Sequence, residues 1–530
     1  MRIRYGSLAA ATMLTMSATA ALPTVSDIAL SQNDDTRLVT ITYTLTGDTP
    51  AIVTADILTN GVSVGTVGAL SGDINKLITP TGGTCTAYWQ PRVDLPEVVL
   101  DPNAVAAKLT VWDRASPPDY MAVDLTVTNS RTFYPSAEMV PGGVTNRLYK
   151  TDILLMRKIP AAGAEFIMGT PVNKNSAGRT ELGRTTQELT PHAVLLTNNY
   201  YIGVYTLTIA QYRHMVQGLP YYSPLTSGNL PAGADIEVLP LGSFQYYQWR
   251  TKSKANSETP TPDSPDTLSS CTVRWPQSGH EIVTTNGAWF ANFRNITGLE
   301  LDFPTEAQWE FACRAGSQNA LYTGEDLRYT AVTNFSIAEG VTIGTIITNV
   351  TENGEMVVTN IFKVFNLSTN LDAIAWYAGN WHKDPNALRT LDGKTCPHEV
   401  GLLQPNAFGL YDMQGNVWEM CLDAMSSTAG NESNGAEEIE PAGAYKPTNC
   451  NARHLIRGGC FGDAAWGVRI GRRLSINNSS TAASTNLDPA LDGAVNAAAN
   501  TGVRFACPAV IPVTGVETEG ETTPTEGGNE

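Results

Sequence analysis

Charge is scarce in this chain: of 530 residues, 16% are charged, and 34 basic residues stand against 51 acidic ones. So few cations exclude general nucleic-acid binding, which rests on lysine and arginine neutralising many phosphates. Histidine is rarer still. His192, His214, His280, His382, His398 and His454 are scattered, which gives no support to a histidine-held iron site. Long apolar runs are also missing. No segment approaches 18 uninterrupted apolar residues, so no membrane span is expected. What the chain does have is length and apolar content, 42% hydrophobic, enough for two to four domains with real cores.

The first 21 residues read as an export signal. Arg2 and Arg4 precede the apolar stretch Leu8 to Met16, and Ala18-Thr19-Ala20 supplies small residues for cleavage. The protein is therefore expected outside the cytoplasm, secreted, periplasmic or at the cell surface. Eight cysteines, an even number, permit disulfides there.

Residues 22–135 read as an all-β sandwich of immunoglobulin or fibronectin type. Val39, Ile41, Tyr43 and Leu45 alternate with Thr40, Thr42, Thr44 and Thr46, which places apolar groups on one strand face and hydroxyls on the other. Similar alternation recurs at Val53-Ala55-Ile57, Leu109-Val111 and Val123-Leu125-Val127, with turn signals at Gly47-Asp48 and Asn60-Gly61. Pro, Gly, Ser and Asn between 136 and 150 predict a linker, and a larger domain follows over 151–508. Residues 509–530 read as a disordered tail, with five glutamates and no basic residue after position 510. Ser426 to Pro447 reads as an exposed loop, and 321–370 as an inserted hairpin turning at Asn353-Gly354.

Two helices carry capping signals. Thr305-Glu306-Ala307-Gln308 follows Pro304 and precedes an inward face of Trp309, Ala312 and Cys313, with Gly316 at the helix end. Thr208-Ile209-Ala210-Gln211 repeats the pattern, with Ile209, Tyr212 and Val216 as its stripe. The order of motifs around them is more specific. Phe166-Ile167-Met168-Gly169 and Tyr201-Ile202-Gly203 come first, then Leu301 to Glu310, then Asn406-Ala407-Phe408-Gly409-Leu410-Tyr411-Asp412-Met413-Gln414-Gly415-Asn416-Val417-Trp418-Glu419. Arg457-Gly458-Gly459 and Gly502-Val503-Arg504 close the series. Over residues 151–508 the chain resembles the sulfatase-modifying factors, the formylglycine-generating enzymes and their relatives.

The resemblance implies an α+β, C-type-lectin-like domain with little regular secondary structure and a shallow cleft. In active relatives that cleft oxidises a sulfatase cysteine to formylglycine with oxygen and a copper(I) ion on two thiolates, soft ligands for a soft ion. Alignment on Arg457-Gly458-Gly459 puts Asp463 and Val468 at the two thiol positions, and no cysteine occurs from Phe461 to Ser480. One sulfur, Cys460, replaces the serine of the motif, with Cys421 and Cys450 its nearest partners in sequence, so copper is not expected. Trp418, Asn500 and Arg504 match cleft positions. Asp412, Gly415, Val417 and Glu419 match a calcium set of two carboxylates and two carbonyls, for which the alternative is pairing with backbone amides or arginines. Cys313 and Cys507 lie near positions that some relatives link as a disulfide. Arg453, Arg457, Arg469, Arg472, Arg473 and Arg504 form either a basic cleft or internal pairs with Glu306, Glu310 or Glu419, the second being expected.

Three functions fit this reading. The first is a noncatalytic module, a pseudoenzyme that binds a peptide, protein or carbohydrate in the cleft, with Asn477, Asn478, Ser479 and Ser480 in the variable window. The second is a formylglycine-generating oxidase with a relocated thiol at Cys460. The third is a structural surface protein.

Overall fold

The structure, a computed structural model, describes residues 21–96, 101–171, 184, 188–215, 235–242, 249, 289–327, 330–332, 344–345, 348–352, 355–359, 362–364, 369–377, 380, 397–425, 438–439, 453–463, 465–476 and 500–512. The signal, Cys450, the window Asn477 to Ser480 and nearly all of the acidic tail lie outside them. The chain divides into two compact units, one reaching Asp113 and the other running from Arg114 onward with the short piece Gly65–Gly68.

The first unit is all-β. One antiparallel sheet has the strand order Thr24–Gln32, Val39–Thr46, Thr84–Trp89, Leu70–Gly72. The second is built on Ala51–Thr59, which pairs with Val105–Asp113 on one side and with Val62–Ser63 and Lys76–Ile78 on the other. Alternation predicts the faces correctly: Val39, Ile41, Tyr43 and Leu45 are buried and the threonines between them are half-buried or exposed. Asn60 and Gly61 both have positive φ, 50° and 78°, which suits the two-residue hairpin joining Thr59 to Val62.

The boundary expected at 135 falls at 113. Tyr120–Asp124 and Ser130–Tyr134 belong to the second unit, as the outer strands of a sheet continuing through Ile153–Ile159 and Tyr200–Gly203 to Ala506–Pro508. Apolar alternation marks a half-buried strand but not the sheet it joins, which is why Val123-Leu125 read as sandwich. The segment read as a linker is packed. Val140 and Tyr149 are buried with Tyr120, Leu155, Val204, Tyr205, Val400 and Tyr411, and the Tyr149 hydroxyl donates to the Pro141 carbonyl at 2.8 Å. Its Pro and Gly content serves short turns, two of which are 3-10 helices, Ala137–Met139 and Arg147–Lys150.

A second sheet of the large unit orders Arg473–Ile476, Arg453–Arg457, Trp418–Met425 and Thr501–Gly502, the last in parallel. The helix Glu306–Arg314 has the predicted capping box, with Gln308 N–H on the Thr305 hydroxyl and the Gln308 side chain on the Thr305 N–H. Thr208 and Gln211 exchange the same bonds at Ile209–Met215. The inserted hairpin is present as Thr348–Glu352 paired with Glu355–Thr359, with Glu352 opposite Glu355; its expected turn residues, Asn353-Gly354, lie outside the described residues.

Candidate functional site

The site is organised on Glu419, fully buried in the strand Trp418–Met425. Arg504 grips it as a fork, with Nε to Oε2 at 2.8 Å and Nη2 to Oε1 at 2.6 Å. The indole of Trp309 donates to Oε2 at 2.7 Å. The other guanidinium hydrogens of Arg504 go to the carbonyls of Gly203, Val204 and Tyr411. A guanidinium has five N–H donors, and all five are used within the protein. Arg504 is thus an internal tie with no donor left for a ligand, which corrects the cleft role implied by resemblance.

Four other arginines, Arg314, Arg457, Arg469 and Arg473, also meet buried carboxylates. Glu310 accepts from Arg314 and Arg457, Glu306 from Arg473 at 2.5 and 2.7 Å, and Arg469 forks onto Glu188 at 2.6 and 3.0 Å. Burial alone would push Glu310 up, but Arg314, Arg457 and the Gly169 N–H hold its carboxyl below the usual glutamate range. These pairs give the internal alternative, not a basic cleft. Glu188 was not foreseen, because 281 residues separate it from Arg469 and no periodic signal links them.

Beside Glu419 the chain turns sharply. Asp412, Gly415 and Asn416 all have positive φ. A Cβ at Gly415 would stand 2.3 Å from the Trp376 carbonyl oxygen, so only glycine admits this approach. Asn416 is the hub. Its side chain accepts the His398 N–H at 2.9 Å and donates to the His398 carbonyl, its own N–H donates to Trp376, and its carbonyl accepts from Phe461. His398 stacks on Trp376 at 3.8 Å with 4° between the rings. Trp376 escaped the sequence reading and His398 entered it only as one of six scattered histidines, although Asn416 belongs to a quoted motif.

Asp412 is buried, and its carboxylate accepts the Gly401 N–H at 2.6 Å. Burial pushes its pKa up to about 6, against the opposing pull of Gly401, Arg504 and Lys150. A calcium set here would comprise Asp412, the carbonyls of Gly415 and Val417, and Glu419. By donor type these hard oxygens fit such an ion, while in this structure Asp412 meets the Gly401 N–H and Glu419 meets Arg504 and the Trp309 indole, the amide and arginine pairing that is the alternative to calcium.

The copper position does not fit. Cys460 is fully buried, and burial together with the neighbouring Asp463 carboxylate pushes its thiol well above the ordinary range. Asp463 accepts the Cys460 backbone N–H at 2.8 Å, closing a tight turn, and Val468 is buried apolar surface. Cys313 and Cys507 do not form the disulfide the resemblance suggested: both are free and buried. Their settings differ, with the Cys313 thiol directed to the Met413 carbonyl and Cys507 on a strand beside Arg131. Trp418 is 1% exposed, and its indole N–H has no acceptor among the described residues; its backbone N–H donates to the carbonyl of the half-buried Asn500.

A family model for the sulfatase-modifying factor enzyme 1-like domain matches residues 163–345 and 358–487, more than half of the chain. This chain belongs to the sulfatase-modifying factor family. The break in the match, 346–357, falls on the inserted hairpin. A formylglycine-generating enzyme of Thermomonospora curvata is 39% identical over 70 residues, 13% of this chain and 22% of that enzyme. The chain thus matches about a fifth of that relative's length. Among solved structures, Treponema denticola variable protein 1 is similar at 17% identity and TM-score 0.35, over 67% of this chain and 95% of that one. PvdO from Pseudomonas aeruginosa is similar at 20% identity and TM-score 0.36, over 67% and 94%. The chain has the family's α+β architecture after an all-β unit. Among the described residues no helix is long and apolar enough to cross a membrane.

Proposed function

We propose that this protein is an exported, noncatalytic member of the sulfatase-modifying factor family that binds a peptide, protein or carbohydrate ligand. The observation carrying the reading is Asp463. At the position of a copper thiolate stands a carboxylate, closed into a turn on the Cys460 N–H, while Cys460 itself is buried beside it and disfavoured as a thiolate. A single sulfur cannot reproduce two-sulfur coordination of a soft ion. Ligand contact is assigned to Trp418, Asn500 and the window Asn477 to Ser480. The buried indole N–H of Trp418, which meets no acceptor among the described residues, supports this, since an unmatched donor costs about 1–3 kcal/mol that a ligand acceptor would recover. Export rests on the Arg2, Arg4 and Ala18-Thr19-Ala20 pattern.

The test incubates the protein with Cu(I), oxygen, a thiol reductant and a peptide carrying Cys-x-Pro-x-Arg, and reads the peptide mass. No formylglycine is expected from folded protein. Conversion that disappears in Cys460→Ser would overturn the reading and establish an oxidase with a relocated thiol.

Calcium binding through Asp412, Gly415, Val417 and Glu419 is part of this proposal, as a brace for a loop-rich domain. A hundredfold excess of calcium over its Kd would add about 2.7 kcal/mol. Thermal melts in calcium and in chelator should therefore differ, and Asp412→Asn should erase the difference. Identical melts for the unaltered protein would remove calcium from the proposal.

A further inference from the structure

We propose that Lys150 is a built-in rival of calcium: its buried ammonium answers the negative charge around Asp412 and so weakens binding of the ion there. The inference rests on the calcium reading of Asp412, Gly415, Val417 and Glu419, and concerns the regulation of that same site.

Lys150 ends the 3-10 helix Arg147–Lys150 and is 5% exposed. A lysine is almost never covered to this degree unless it is paired. Its Nζ donates to Glu399 Oε1 at 3.0 Å and stands 5.6 Å from the centroid of the Tyr205 ring. The same ring touches the Asp412 side of the arrangement. Gly401, at φ 72°, lies so close that a Cβ there would collide with Tyr205, and the Gly401 N–H donates to Asp412 Oδ2 at 2.6 Å. Tyr411, next to Asp412 in the chain, packs its ring 5.1 Å from that of Tyr205. Lys150, Glu399, Gly401 and Asp412 are thus gathered around one buried ring. Lys150 joins Arg504 in drawing on the Asp412 carboxylate.

Charge balance carries the argument. Three carboxylates, Asp412, Glu419 and Glu399, here meet two cations, Arg504 and Lys150. A divalent ion added to this set leaves one positive charge in excess, whereas without Lys150 it leaves the set neutral. Excess charge away from water is costly, and like charges repel more strongly there than in solvent. Pairing with Glu399 does not by itself explain the burial of Lys150, because the Glu399 side chain is 39% exposed and a lysine at the surface would meet it equally well.

The experiment titrates the full chain, stripped with chelator, with calcium chloride in a calorimeter. Lys150→Met keeps a long side chain and removes the charge, and its calcium affinity should exceed that of the unaltered protein by about tenfold or more. Glu399→Gln removes a negative charge and keeps Lys150, so its affinity should fall. A lysine that served packing alone would give a weaker site in both variants. Should Lys150→Met misfold, Lys150→Gln carries the same expectation. Adding Asp412→Asn to Lys150→Met should abolish the gain. Affinity unchanged or lowered in the folded Lys150 variant, a gain that survives Asp412→Asn, or no binding heat in either protein would overturn the proposal. Calcium bound by Lys150→Met and not by the unaltered chain would support it while removing the calcium brace from the proposed function.

Discussion

At the scale of single residues, the second unit is held by carboxylates that each meet an arginine out of water. A buried pair contributes little when intact, but removing one partner strands the other. Glu419→Gln should accordingly cost about 3–5 kcal/mol in a denaturant titration, because Arg504 keeps its burial and loses its counter-charge. Glu310 gives a pH signature. Its folded pKa lies below its unfolded value, so its contribution is fully present above the ordinary glutamate range and is lost as pH falls through the folded value. Acid titration of stability should show a falling limb below about pH 4.5, and Glu310→Gln should flatten it while lowering stability at neutral pH. Cys313 and Cys507 yield a third measurement. As free buried thiols they should resist a thiol reagent in native protein and react after denaturation, and reductant should leave the melting temperature unchanged.

At the scale of elements, the amino-acid order announced the helix starts and the strand faces, since a cap or an alternation is written within a few neighbouring residues. Thr305 followed by Gln308 is such a local statement, and the structure contains both reciprocal bonds. That cap also fixes where Glu306 and Glu310 enter the core. Thr305→Ala should thus cost about 1 kcal/mol by thermal melt from the lost cap. What was not legible locally was partnership. Arg469 with Glu188, Asn416 with His398, and Tyr120–Asp124 with Ile153–Ile159 are set by chain topology, which neighbouring residues do not encode. Reading 136–150 as a linker failed for a related reason. Turn-forming residues describe how a segment bends and leave open whether Val140 and Tyr149 are covered.

At the scale of the molecule, the family match begins at residue 163, while the sheet of the second unit begins at Tyr120. The folding unit is therefore longer than the motif-bearing one. A chain starting at 114 should be soluble and resist limited proteolysis. One starting at 151 loses the strands Tyr120–Asp124 and Ser130–Tyr134, exposes Leu154 and Leu155, and should aggregate. The motifs made the family legible, whereas the turn that Asp463 closes on the Cys460 N–H, just after the Arg457-Gly458-Gly459 motif, was visible only in the structure.

Arg504 also sets a timetable. It joins Gly203, Val204, Tyr411 and Glu419, bonds that span 301, 300, 93 and 85 residues of chain. Synthesis proceeds from the N-terminus, so the carbonyls of Gly203 and Val204 wait about 300 residues for their partner to leave the ribosome. Contacts this distant in sequence slow folding, because loop closure precedes any gain from them. Until its last stretch has emerged, the second unit lacks the tie that closes it, and its earlier segments cannot complete their packing on the ribosome.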